Sequence, residues 1–166
     1  MTSLTLVRRI VARPSIVFGA LTTPEGISVW WGPDAGPVLI VETDVRVGGR
    51  FRVRFRLLDG SEHESSGEYL EVDPPRRLAM TWRWLGEKEA AGESLLAFDV
   101  RPLPDGAELT LTHSRLPDEP ARETNSPINC CNWRSRSSFE NSTFLSAIKV
   151  PVPCWVSSSP RISISR

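Results

Sequence analysis

Cysteine is absent from the chain until Cys130; Cys131 and Cys154 follow, and these three are all that the 166 residues contain. An odd number without CxxC spacing makes neither a disulfide framework nor a zinc site, so reduced thiols in a cytoplasmic protein are expected. Histidine is scarcer still. With only His63 and His113, no metal cluster and no Ser-His-Asp arrangement can be assembled, and neither a metal nor another cofactor is expected. No basic start followed by an apolar run marks a signal peptide, and nothing approaches the roughly 20 apolar residues of a membrane-spanning helix. Phosphate-loop patterns are also missing: the "VGG" at 47–49 fits neither GxGxxG nor GxxxxGK. Net charge is zero, from 20 basic and 20 acidic residues, but it is unevenly spread. Beyond Glu123, Arg134, Arg136, Lys149, Arg161 and Arg166 stand against Glu140 alone, which leaves 15 basic and 19 acidic residues before it. An acidic body gives no reason to expect nucleic acid as partner, nor is a membrane expected.

What is present is alternation. "LTLVRRIV" (4–11) reads as a first strand, and "ARPSIVFGALTTPEGISVWWGP" reads as two short helices. Pro14 suits the first turn of one; Thr23, with Pro24 next, can cap the other. Val17, Ala20 and Leu21 share one helical face, and Ile27, Trp30 and Trp31 another. A meander comes next: "VLIVET", "GRFRVRFRLL", "EHESSGEYLEV", "RLAMTWRWL", "SLLAFDVRPL" and "AELTLTHS", divided by "RVGG", "LDGS", "DPPR", "GEKEAAGE" and "PDG". Period two assigns Phe51, Val53, Phe55 and Leu57, then Leu78, Met80, Trp82 and Trp84, then Leu96, Phe98 and Val100, then Leu109 and Leu111, to one dry face. Arg52, Arg54, Arg56, Arg83, Asp99, Arg101, Glu108 and Thr110 take the wet one. The predicted fold is α+β: a curved antiparallel sheet of about seven strands with two short helices after the first strand.

The hairpin at Asp59-Gly60 fixes a register. A two-residue turn would set Phe55 opposite Glu64 and put carboxylates on the dry face. A three-residue loop with Gly60 closing a bulge shifts the pairing by one. Glu62 and Glu64 then oppose arginines, and His63, Ser65, Gly67 and Tyr69 turn inward. The second register is preferred because it buries no unpaired charge. The ladder Arg50, Arg52, Arg54 and Arg56 is accordingly read as a solvated face paired with Glu62, Glu64 and Glu68, not as a phosphate patch.

"WWGP", "DVRVGGRFRVRF", "GEYLEVDPPRRLAMTWRW" and "LTLTHSRLPDE", in this order, resemble the SRPBCC (START-like, helix-grip) superfamily. Within it they are most similar to the branch named after the activator of heat-shock-protein-90 ATPase. The likeness runs from Leu4 to Glu119. It implies a seven-stranded sheet wrapped around a long C-terminal helix, with a hydrophobic cavity between them that in many members takes small apolar molecules; some relatives are cyclases or other enzymes. The chain departs from the pattern at its end. From Thr124 it holds Pro127, Pro151, Pro153 and Pro160, one alanine, one leucine and no glycine. Each interior proline costs a helix roughly 3 kcal/mol. The expected division is therefore a ligand-binding domain at 1–123 and an atypical Ser/Asn/Pro-rich tail at 124–166, with the long helix missing or replaced. The tail reads as a frame-shifted stretch, a divergent replacement, or a disordered extension. Without that helix, Phe51, Phe55, Trp82, Phe98 and Leu111 would face water or tail residues such as Trp133, Phe139, Phe144 and Trp155. An uncovered face favours a homodimer.

His113, in phase with Leu109 and Leu111, points inward. With His63, Ser65, Tyr69 and Glu71 it supplies a few polar groups in an apolar surround, the usual make-up of a small-molecule site. A hydrogen-bonded core histidine is the competing reading, and general acid-base catalysis lacks a third residue to orient the imidazole. Trp30 and Trp31 sit where the helices meet the sheet, as a gate or as packing. The expected ligand is a small apolar molecule held by Trp82, Trp84, Phe51, Phe55, Phe98 and Leu111, with Tyr69, His63 and His113 as polar contacts. Two rivals stand beside it: a chaperone-interaction module, implied by the family name, and a cyclase- or hydrolase-like enzyme using His113.

Overall fold

The computed structural model describes residues 2–31, 37–85, 92–116 and 161–165. In chain order these form β1 (Thr2–Ile10), α1 (Pro14–Thr22), α2 (Pro24–Trp30), β2 (Val38–Thr43), β3 (Arg50–Arg56), β4 (Glu62–Asp73), β5 (Arg77–Leu85), β6 (Ser94–Leu103), β7 (Gly106–Leu116) and β8 (Arg161–Ser165). All strands belong to one open antiparallel sheet in the order β2-β3-β4-β5-β6-β7-β1-β8. The α+β fold and the seven strands of the body follow the alternation of the sequence.

The helices form where proline and threonine direct them. Pro14 and Pro24 open α1 and α2, where a missing N–H costs nothing. Thr23 serves both: its hydroxyl accepts from Gly26 N at 3.1 Å and donates to Gly19 O at 2.9 Å. α1 buries Val17, Phe18 and Leu21, and packs on β6 and β7. α2 lies against β2 and buries Ile27. The indole N–H of Trp30 donates to Ala20 O at 2.8 Å, tying the second helix to the first.

The hairpin between β3 and β4 takes the three-residue form. Leu57 N bonds Ser61 O at 2.8 Å, and Gly60 sits at φ +86°, a conformation that a side chain disfavours. Phe55 consequently faces His63, Arg54 faces Glu64 and Arg56 faces Glu62. On the outer face Glu64 holds both Arg52 (2.7 Å) and Arg54 (2.9 Å), and Arg56 meets Glu62 at 2.7 Å. Glu42 of β2 adds a further contact to Arg52 at 3.5 Å. Arg52, Arg54 and Arg56 of the ladder are thus paired with carboxylates, while Arg50 stands opposite Glu68 in the register.

Two features depart from the alternation. A bulge at Leu70 interrupts the β4–β5 pairing between Tyr69↔Met80 and Glu71↔Ala79. The extra residue flips the remainder of β4, so Glu71 is exposed and bonds Arg77 at 2.7 Å instead of turning inward. The second is β8. The tail contributes a strand whose backbone pairs with β1, Leu6 opposite Ile162 and Leu4 opposite Ile164. The "RISIS" stretch alternates as a strand should, and it occupies the edge that β1 would otherwise present.

The core lies on one face of the sheet, under the two helices. Every residue assigned to the dry face is buried except Leu57, which is half-buried at the start of the hairpin loop. Phe51, Phe55, Trp82, Phe98 and Leu111 are buried within the single chain, so this face is not left to water. Trp30 and Trp31 lie against two of these rings. The three cysteines, the four aromatic tail residues and any long C-terminal helix fall at 117–160, outside the described residues. Among the described residues no helix is long and apolar enough to cross a membrane.

Candidate functional site

The inner face carries two rows of rings. At the helix end, Trp30 and Trp31 lie 5.0 Å apart; Trp30 meets Phe98 edge-on at 6.3 Å and Trp31 meets Phe51 at 5.8 Å. Phe51 in turn lies 5.9 Å from Tyr69. This approach needs the glycine opposite. A Cβ on Gly67 would run into the Thr81 carbonyl oxygen and come within 2.7 Å of Phe51 Cε1. The second row runs from the hairpin: Phe55 stacks on His63 at 6.0 Å and tilts against Trp84 at 5.9 Å. Trp84 continues to Trp82 at 5.1 Å, and Trp82 to His113 at 5.3 Å. Leu111 is buried opposite Phe98 in the β6–β7 pair.

The structure brings all eleven sequence-predicted residues to this face or its margin, but their polar atoms are engaged differently. Tyr69 is buried, and its hydroxyl shares a hydrogen bond with Thr43 Oγ1 at 2.7 Å. Burial pushes its pKa up, so it remains a neutral phenol. Its backbone N–H and C=O clasp Gly49 and Gly48, both at 2.8 Å, which places the "VGG" turn as structural support for Tyr69. His63 is half-buried at the hairpin, with Nε2 3.1 Å from Ser61 Oγ.

His113 is buried, and its Nε2 lies 2.7 Å from Ser94 Oγ, which also donates to the Trp82 carbonyl at 3.2 Å. Burial lowers the imidazole pKa from 6.5 to about 4. The ring is neutral at pH 7, and a base that weak has little drive to take a proton from a serine hydroxyl. Ser94 was missed from the sequence, although it lies in phase with Leu96, Phe98 and Val100 on β6. A small polar residue beginning an inward-facing strand was the available sign.

Among the described residues, three buried polar atoms on this face have no hydrogen-bond partner: Ser65 Oγ, Trp82 Nε1 and Trp84 Nε1. Both tryptophans were expected as apolar walls. Their rings do form such walls, while their N–H groups stay unspent.

The chain resembles proteins of known structure along most of its length. A protein from Chromobacterium violaceum is 26% identical, with 88% of this chain and 94% of that one covered and a TM-score of 0.68. The AHSA1 protein from Silicibacter pomeroyi is 28% identical over 70% of this chain and 81% of its own, with a TM-score of 0.60. A protein from Arthrobacter aurescens shares the fold at 21% identity and a TM-score of 0.64, covering 73% of this chain and 72% of its own. No curated protein matches the sequence. The family described as activator of Hsp90 ATPase homolog 1-like protein matches residues 11–129, from the end of β1 through β7 and beyond. With that match and the strand order expected of the SRPBCC superfamily, the chain belongs to the activator of Hsp90 ATPase homolog 1-like family.

Proposed function

We propose that the inner face of the sheet, closed by α1 and α2, holds a small apolar molecule. One observation carries this reading: the two rows of aromatic rings, whose neighbours lie 5.0–6.3 Å apart, line one face together with a few polar groups. Sites for small molecules have this composition, apolar and aromatic walls with sparse polar groups that orient the guest. Trp30 and Trp31, half-buried at the end of α2, stand where a guest would enter.

Two other readings are weaker. Ser94 and His113 lie as close as a nucleophile and its base, which favours a hydrolase, but the one hydroxyl proton of Ser94 goes to the Trp82 carbonyl, which leaves Nε2 as the donor between them. An imidazole whose pKa burial lowers to about 4 opposes it, because a general base works best near the operating pH. The chaperone-interaction reading comes from the family description alone, and among the described residues most outer-face arginines are held by carboxylates within the chain.

Native mass spectrometry of the freshly purified chain tests the proposal. An added mass of a few hundred daltons that leaves on denaturation is the expected result. A bare mass, with no shift when a hydrophobic naphthalene probe is added, overturns it. Binding of the bare chain to heat-shock-protein-90 would then favour the chaperone module.

A further inference from the structure

Among the described residues, the three that carry unpartnered buried polar atoms are neighbours on the inner face. Ser65 stands directly opposite Trp84 in the β4–β5 pairing, both on the inner face, which puts their Cβ atoms roughly 5 Å apart. Trp84 and Trp82 lie two residues apart on β5, with ring centroids 5.1 Å apart. Ser65 is fully buried and each tryptophan is 5% exposed. An indole N–H is a donor only, so two of the three groups demand acceptors; the serine hydroxyl can donate as well. The protein fills such demands elsewhere on the same face. Trp30 N–H has Ala20 O, Tyr69 has Thr43, and His113 has Ser94. Buried donors left unmade are rare in folded proteins and point to a missing partner.

The charges around the patch restrict what that partner is. Arg52, Arg54 and Arg56 of β3 lie on the outer face and are held by Glu64 and Glu62, while Arg77 is held by Glu71 and Asp99. Among the described residues, the buried polar side chains are Thr22, Ser65, Ser94 and His113, none of them a lysine or arginine. Burial keeps the His113 imidazole neutral. The half-buried Arg8 does share the inner face with Leu6 and Ile10, but it lies on β1 opposite Leu109, separated from β5 by β6 and β7. A carboxylate placed at the patch would lose its water without gaining an adjacent counter-ion. A carbonyl oxygen has two lone pairs, is uncharged, and needs donors alone.

Resting on the reading of this face as an apolar binding site, we infer that its ligand carries a neutral carbonyl oxygen, as in a ketone, ester or quinone, accepting hydrogen bonds from the Trp82–Trp84–Ser65 patch.

Three probes on one skeleton separate the possibilities: 2-acetonaphthalene, 2-ethylnaphthalene and 2-naphthoate, each titrated calorimetrically into the full chain at pH 7. The ketone is expected to bind at least tenfold tighter than the hydrocarbon, and the naphthoate weakest. In Trp84→Phe and in Ser65→Ala the preference for ketone over hydrocarbon, compared within each variant, should shrink to about twofold. Nitrogen–proton correlation spectra of the unmutated chain give a second readout that needs no variant to fold. The ketone alone should move the Trp82 and Trp84 indole N–H signals downfield. Equal affinity for ketone and hydrocarbon would leave the apolar site standing and overturn the carbonyl inference. Tightest binding of the naphthoate would also overturn it, by making the guest an anion. If none of the three binds, both readings fall.

Discussion

Acid should destabilise this protein in a window set by one buried ring. His113 is 1% exposed, and burial lowers its pKa from 6.5 to about 4. Above pH 6.5 the imidazole is neutral in the folded and the unfolded chain, and the full stability is present. As pH falls below 6.5 the unfolded chain takes up a proton that the folded chain refuses, so stability is lost progressively until pH 4, below which both forms are protonated. A shift of this size amounts to about 3 kcal/mol in total, of which about 2 kcal/mol disappears between pH 7 and pH 5. Urea unfolding followed by tryptophan fluorescence at pH 7, 6 and 5 measures it; with a slope of about 1–3 kcal/mol per molar urea, the midpoint should drop by about 1 M. The comparison is His113→Gln, which can still bond Ser94 but does not titrate. Its midpoint should stay nearly flat over the same range, apart from changes common to both chains. Glu64 does not confuse the result. Its hydrogen bond with Arg52 lowers its pKa, so the stability it contributes is lost only at still more acid pH. Parallel midpoints for the two chains from pH 7 to pH 5 would refute the reasoning, and with it the burial of His113 as a neutral ring.

Three further outcomes are expected. Gly67→Ala forces a methyl against the Thr81 carbonyl and the Phe51 ring, and should cost about 3 kcal/mol or more in urea unfolding; a loss below about 1 kcal/mol would contradict the close packing there. Tyr69→Phe removes the hydroxyl shared with Thr43 and should cost about 1–2 kcal/mol; the double variant with Thr43→Val should cost less than the sum of the singles, which a double-mutant cycle reads directly. Because Phe51, Phe55, Trp82, Phe98 and Leu111 are buried within one chain, the dimer that an open inner face would drive should be absent; sedimentation velocity at tens of micromolar should give a monomer of 18.5 kDa, and a dimer would contradict it.

The sequence by itself determined the order of the elements, the inward and outward faces, and even one register. Alternation of side chains is a local property, and it placed Phe51, Phe55, Trp82, Trp84, Phe98, Leu111 and His113 on the buried face without knowledge of any partner strand. The hairpin at Asp59-Gly60 could be read because only one loop length kept Glu62 and Glu64 out of the core. Pro14, Thr23 and Pro24 act within a single turn of chain, so the two helix starts were legible too. Only the tertiary structure decided the rest. The bulge at Leu70 turned Glu71 from a candidate polar contact into an outer partner of Arg77, and a bulge arises from the fit of two strands. The strand at Arg161–Ser165 joined β1 from the far end of the chain, a pairing that no local periodicity foretells. Ser94 found His113 across the β6–β7 pair, while Ser65, Trp82 and Trp84 found nothing. Composition says which groups can donate a hydrogen bond; whether a donor is spent depends on which acceptors the folded chain brings within about 3 Å of it.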